Sequence, residues 1–133
     1  MHAISVLADS KHFISGSDDR SIKLWNVGSD DCIRTFTGHT SFVKAVSPME
    51  GDRFLSGSRD RTIRLWSWSS VTSGECLHTF SGHTDVVSAL VSLDDTTFVS
   101  GSFDNNIKYW KDSKSSCIRT LTGHTGSIKT LSA

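Results

Sequence analysis

One eleven-residue segment occurs three times in this 133-residue chain, and that recurrence restricts the fold more than any other property of the sequence. The copies are Ser15-Gly16-Ser17-Asp18-Asp19-Arg20-Ser21-Ile22-Lys23-Leu24-Trp25, Ser56-Gly57-Ser58-Arg59-Asp60-Arg61-Thr62-Ile63-Arg64-Leu65-Trp66 and Ser100-Gly101-Ser102-Phe103-Asp104-Asn105-Asn106-Ile107-Lys108-Tyr109-Trp110. Their tryptophans stand 41 and then 44 residues apart. A second motif keeps the same period, beginning at Cys32, Cys76 and Cys117 and ending in the Gly-His-Thr triplets at 38–40, 82–84 and 123–125. Two motifs that share a period above 40 residues define a repeat architecture, which has to be settled before any residue is given a chemical role.

Each period holds four short runs with the apolar–polar alternation of strands, separated by turn-forming residues. The first cycle places strands at 3–7, 13–15, 22–25 and 32–36, and the second at 42–46, 54–56, 63–66 and 76–80. The third places them at 86–91, 98–100, 107–110 and 117–121, and 128–131 opens a fourth cycle. Pro48, the only proline, is expected at a turn where the first strand of its cycle ends. Four antiparallel strands per repeat make one twisted sheet that cannot bury both faces alone, so such sheets stack radially.

The charge balance is even, with 14 Lys+Arg against 14 Asp+Glu. A neutral chain without a basic stripe carries no electrostatic footprint for nucleic acid. The N-terminus has no basic leader, and no run approaches the apolar length of a membrane helix, so neither secretion nor membrane insertion is expected. The three cysteines occupy one repeated position, which separates them too widely for a disulfide, and they read as reduced thiols filling gaps between sheets in an intracellular (cytoplasmic or nuclear) protein. With no CxxC, nothing implies a metal or cofactor. His2, His12 and His78 have no partner at catalytic or ligand spacing and read as surface or edge residues.

The Gly-His pairs at 38–39, 82–83 and 123–124, together with the Ser-Gly-Ser-x-Asp-x-x-Ile-x-x-Trp segments, make the sequence resemble the WD40 repeat family over essentially its whole length. One departure is that the family's Trp-Asp dipeptide is Trp-Asn, Trp-Ser and Trp-Lys here. The resemblance implies an all-β fold of β-propeller blades, each a four-stranded antiparallel meander. Blade 1 would span 1–37, blade 2 38–81 and blade 3 82–122, with the start of a fourth over 123–133. It also implies a hydrogen-bonded chain within each blade: His39, Ser56, Asp60 and Trp66 in the second, His83, Ser100, Asp104 and Trp110 in the third. The first blade has only Ser15, Asp19 and Trp25, because the corresponding His would fall before Met1, and His124 has no such residues after it.

Ser, His and Asp together invite a catalytic reading. Catalysis needs one such set in a cleft beside oxyanion donors, whereas this set recurs with the repeat and is tied to a strand tryptophan. The sequence therefore reads as a non-enzymatic protein-interaction scaffold that presents loops to peptides or domains. A narrower alternative is the substrate-recognition part of a ubiquitin ligase or another multiprotein complex, and the competing class is a propeller supporting an enzyme or binding nucleic acid. In a meander, alternate connections share a face, so the Gly-His loops and the Asp turns lie on one rim. Its variable positions are Asp18, Arg59 and Phe103 before the turn aspartates, and Ser41, Phe42, Asp85, Val86 and Ser127 at the starts of the inner strands. On the opposite rim the second cycle carries three extra residues after Trp66, including Trp68, which is expected to fold back over the blade edge rather than to anchor a partner.

Three blades and one strand do not close a ring that takes 4–8 blades. The expectation is an open arc completed by further blades of a longer chain, about seven in all, or by another copy. The first explanation fits the sequence better, since neither terminus looks built to pair.

Overall fold

The computed structural model describes residues 3–7, 11–28, 32–49, 52–68, 76–94, 96–113 and 117–122. They form twelve strands and, among the described residues, no helix. The first sheet joins β1 (Ala3–Val6), β2 (His12–Gly16), β3 (Ile22–Asn26) and β4 (Cys32–Phe36) in sequential order. The second joins β5 (Val43–Met49), β6 (Arg53–Ser58), β7 (Thr62–Ser67) and β8 (Cys76–Ser81). The third joins β9 (Val87–Ser92), β10 (Thr97–Ser102), β11 (Ile107–Lys111) and β12 (Arg119–Leu121). All neighbours are antiparallel, and the register repeats from sheet to sheet: Phe13↔Trp25, Phe54↔Trp66 and Phe98↔Trp110. These are propeller blades, and residues 123–133, including His124 and the expected strand at 128–131, lie outside the described residues.

The blades stack through two cores of the same design. Leu7, Ile14, Ile22, Leu24 and Phe36 of blade 1 meet Val43, Phe54 and Trp66 of blade 2. Ala45, Met49, Leu55, Ile63, Leu65 and Phe80 of blade 2 meet Val87, Leu90, Phe98 and Trp110 of blade 3. In each seam one phenylalanine meets a stacked Phe–Trp pair edge-on. Phe36 lies 5.0 Å from Phe54 and 5.6 Å from Trp66, and Phe80 lies 5.0 Å from Phe98 and 5.7 Å from Trp110. Edge-to-face contact sets ring hydrogens against a π face and is the favoured arrangement of such pairs. The period-2 alternation follows from this stacking, since blade 2 buries one set of side chains against each neighbour.

Close approach explains the Gly of the first two Ser-Gly-Ser segments. A Cβ on Gly16 would lie 2.5 Å from Val43 Cγ1, and one on Gly57 would lie 2.6 Å from Val87 Cγ1. The inner strands of blades 2 and 3 thus each press a valine into the bare backbone of the preceding blade. Pro48 differs from its expected place at a turn. It lies within β5, opposite Phe54, and its carbonyl accepts a 2.9 Å bond from Ser92 Oγ of the next blade. Its missing N–H is tolerated because β5 is an edge strand. At the other end of the meander, β12 begins at Arg119, not at Cys117, although Ile118 N–H already donates to Tyr109 O.

Candidate interaction rim and its hydrogen-bonded support

The rim stands on the repeated polar chain beneath it. In blade 2 the Gly38-His39-Thr40 connection precedes β5, and Asp60 sits in the β6–β7 turn. Gly38 has φ 153°, which calls for glycine, and a Cβ there would crowd Arg64 Nη1 at 3.0 Å and Trp66 at 3.2 Å. Trp66 Nε1–H donates to Ser56 Oγ at 2.8 Å, and Ser56 Oγ lies 2.6 Å from His39 Nε2. His39 Nδ1 lies 2.7 Å from Asp60 Oδ2. One neutral tautomer satisfies every atom: Ser56 O–H donates to Nε2, and Nδ1–H donates to the carboxylate. Blade 3 repeats the chain through Trp110, Ser100, His83 and Asp104 at 2.8, 2.6 and 2.8 Å. In blade 1 the described part is Trp25 Nε1–H to Ser15 Oγ at 2.9 Å, with Asp19 accepting from Ser21 N–H.

The carboxylates are held ionised. Burial pushes Asp60 up, but hydrogen bonds from His39 and Thr62 outweigh it and leave the group well below the ordinary carboxylate range. Asp104 follows the same balance, with burial opposed by His83, Asn106 N–H and Thr84 N–H. Asp19 is lowered by the Ser21 hydroxyl and backbone N–H. His83 is lowered as well, and here burial is the cause: it lowers the ring more than Asp104 raises it, which favours the neutral form. Ser56 and Ser100 are fully buried beneath tryptophan rings, and each hydroxyl is already engaged on both sides. The Ser–His–Asp set in these blades therefore offers no exposed nucleophile.

Three contacts carry that support to the surface. Arg59 N–H donates to Phe42 O at 2.9 Å, Phe103 N–H to Val86 O at 3.0 Å, and Val43 N–H of blade 2 to Ser17 O of blade 1 at 3.0 Å. The turns and the inner-strand starts therefore share one rim. On it Asp18, Arg59 and Asp85 are exposed, whereas Phe42 and Phe103 are half-buried. Phe42 carries two cations, with Arg59 Cζ and Lys44 Nζ each 5.4 Å from the ring centroid. Asp85 turns its carboxylate onto Val86 N–H at 2.7 Å.

Several contributors were not singled out from the sequence. Ser58 Oγ donates to Phe42 O at 2.8 Å and accepts from Asp60 N–H at 3.1 Å, so the second Ser of Ser-Gly-Ser locks the turn to the inner strand. The same spacing in all three segments was its only signal. Lys44, one residue into β5, joins the rim because the strand starts there; no motif marks it.

On the opposite rim Trp68 folds back. It packs against the blade 1–blade 2 core and lies 5.2 Å from His12, while its N–H donates to Asp52 O and its carbonyl accepts from Arg34. His12 is thus half-buried, not a plain surface residue. His78 is half-buried too, 4.5 Å from Phe80, with a buried Nε2. An Arg53–Asp112 ion pair at 2.8 Å ties blades 2 and 3 on this side. The cysteines are thiols whose S–H groups donate to the carbonyls of Arg34, His78 and Arg119. Cys76 and Cys117 pack against the seams, but Cys32 is exposed. Among the described residues no cluster of His, Cys, Asp or Glu could hold a metal ion, and no helix is long and apolar enough to cross a membrane.

A family model described as "WD domain, G-beta repeat" matches residues 2–26, 30–67 and 74–111. Over 49 residues the chain is 43% identical to "Probable E3 ubiquitin ligase complex SCF subunit sconB" of Talaromyces stipitatus, covering 37% of the chain and 7% of that protein. Over 40 residues it is 42% identical to "Nuclear distribution protein PAC1" of Arthroderma otae, covering 30% of the chain and 9% of that protein. The solved "Crystal structure of RRP9 WD40 repeats" superposes with a TM-score of 0.87 at 30% identity, over 96% of the chain and 40% of that structure. "Structure of U3-55K" matches with a TM-score of 0.87 at 29% identity, over 96% and 41%. The chain thus spans under a tenth of these two curated relatives and about two fifths of the structural ones.

Proposed function

The chain belongs to the WD domain, G-beta repeat family, and from that premise we propose that it is a non-catalytic interaction scaffold whose rim of Asp18, Phe42, Arg59, Asp85 and Phe103 meets a peptide or folded protein domain. The observation that carries this reading is the division of labour within each turn. The invariant members of the repeat are spent inside the blade, while the neighbouring position changes from acid (Asp18) to base (Arg59) to aromatic (Phe103) at the surface. Arg59 beside Phe42 offers a flat, exposed cation, and arginine and aromatic residues dominate interface energetics.

The sconB relatives favour a narrower version, in which the rim is the substrate-recognition part of a ubiquitin ligase. An intracellular setting accords with three free thiols. Neutral overall charge disfavours nucleic acid as the partner.

The test is quantitative capture from lysate on immobilised wild type, Arg59→Glu and Phe103→Ala. The expected result is loss of the same proteins from both variants with unchanged circular dichroism. Recovery of those proteins at wild-type levels by both variants rules out the rim. Loss of the captured set on nuclease treatment points to nucleic acid instead.

A further inference from the structure

The even charge balance of the whole chain hides an uneven one on the rim. Blade 2 places three cations there: Lys44 at the start of β5, and Arg59 and Arg61 on either side of Asp60 in the β6–β7 turn. Register identifies their counterparts in blade 3. Val43 pairs with Ser58 as Val87 pairs with Ser102, so Lys44, Arg59 and Arg61 correspond to Ser88, Phe103 and Asn105, none of them charged. In the blade 1 turn the positions of Arg59 and Arg61 hold Asp18 and Arg20, whose charges cancel. Among the described residues, the positive charge of the rim is therefore gathered on one blade.

The acid inside this group is turned away from the surface. The Asp60 carboxylate accepts from His39, Thr62 and Thr40, whereas Arg59 and Arg61 are exposed. Arg59 Cζ and Lys44 Nζ each lie 5.4 Å from the Phe42 ring centroid. A ring attracts cations through its quadrupole but carries no net charge, so Phe42 gathers the two and leaves their charge in place. Arg61 has φ 73°, a conformation that suits glycine or asparagine better, and asparagine stands there in blade 3. Arginine at that position adds charge without easing the turn.

We infer that the partner of this rim is a short acidic peptide segment whose carboxylates meet Arg59, Arg61 and Lys44 around Phe42. The inference rests on the rim reading above and adds the chemistry of the partner. A guanidinium matches a carboxylate as a planar fork, and complementary charge sets specificity and the rate of encounter. The residues on either side limit the length of the segment. Val43 N–H donates to Ser17 O, which places exposed Asp18 of blade 1 near the start of β5. Gly57 packs against Val87, which places exposed Asp85 of blade 3 near the turn that carries Arg59. The basic zone is thus one blade wide with an acid on each side. A few carboxylates fit it, whereas a nucleic-acid backbone running along the rim would bring its phosphates against both aspartates.

Fluorescence anisotropy tests this, with a short fluorescein-labelled peptide of alternating Gly and Glu as probe. Analogues with Gln or Lys in place of Glu, and an oligouridylate of similar length, serve as comparisons. The Glu peptide is expected to bind wild type, more weakly as salt rises, and the Gln and Lys analogues are not. Arg59→Gln and Arg61→Gly should each weaken binding about 10-fold. Circular dichroism should not change, because both side chains are exposed. Arg20→Gln, one blade away, should leave the affinity at its wild-type level. A Gln analogue that binds as well as the Glu peptide overturns the inference, and so does an equal loss on Arg20→Gln. Tighter binding of the oligouridylate, sensitive to the same two substitutions, overturns it in favour of nucleic acid. Lysate capture separates this failure from failure of the rim itself. Proteins still lost on Arg59→Glu, with no binding of the Glu peptide, leave the rim in place and overturn only its acidic partner.

Discussion

At the scale of the residue, the polar chain inside each blade works as a directed relay of donors ending on a carboxylate. Asp60 accepts from His39, from Thr62 through hydroxyl and N–H, and from Thr40 N–H, so one side chain closes four bonds. Asp60→Ala is expected to lower stability by about 1–3 kcal/mol, because a buried imidazole and the turn donors lose their acceptor; a urea midpoint equal to wild type would sink that account. The pH dependence follows from downward shifts of both the imidazole and the carboxylates. His83 is lowered when folded, so the unfolded chain takes up the proton first, and stability starts to fall as pH drops below about 6.5. Asp60 and Asp104 are lowered too, so their contribution persists down to ordinary carboxylate values near 4 and is lost only as pH falls through the folded values. Urea midpoints measured at pH 7 and 5 should therefore differ, and His83→Gln should shrink the difference. The four members of this chain were legible from their spacing, which the resemblance translated into partners. The contributions of Ser58, which accepts from Asp60 N–H, and of Thr62, which donates to its carboxylate, were not, because a hydroxyl two residues from an aspartate is common in any turn.

At the scale of the element, the turns impose a conformation that the side chains do not favour. Arg20, Arg61 and Asn105 occupy one position, with φ of 72°, 73° and 73°. Each N–H donates to the carbonyl three residues back, on Ser17, Ser58 and Ser102. The left-handed region suits glycine and asparagine and penalises β-branched side chains. Arg61→Gly is therefore predicted to match or exceed wild-type stability by up to about 1 kcal/mol, and Arg61→Val to fall below it by ~1–2 kcal/mol. Thermal midpoints of the two variants check the sign. Gly57 tests the close approach of blades: Gly57→Ala should cost about 1–3 kcal/mol by overpacking against Val87. Adding Val87→Ala should make the pair less destabilised than the sum of the single changes, and a strictly additive pair would remove the steric explanation. Strand existence and order could be read from alternation, whereas ends moved by one to three residues. Pro48 was misplaced because proline is read locally as a strand terminator, while its place on an edge is a property of the sheet.

At the scale of the whole molecule, identical residues differ in worth because of where their blade stands. Phe54 and Phe13 have the same ladder partner type, yet Phe54 is fully buried and Phe13 half-buried. Phe54→Ala should cost about 3–5 kcal/mol, and Phe13→Ala clearly less, when both are measured by urea unfolding. Equal losses would mean that the far face of blade 1 is as well covered as the seam.

The repeat period and the order of strands within a blade were determined by the sequence alone, and the family resemblance turned its spacings into the membership of the polar chain. Each is a local regularity written three times, so coincidence averages out. The coupling between blades was decided only by the tertiary structure: Val43 against Gly16, Phe36 edge-on to Phe54 and Trp66, Trp68 over His12, and Arg53 with Asp112. Those contacts join residues on different sheets, and periodicity within a strand says which face is apolar without saying which neighbour covers it. The same limit explains the rim. Spacing placed Phe42 and Arg59 on one side of the blade, but the stacking of Lys44 and Arg59 on that ring depends on side-chain reach, which only packing in three dimensions defines.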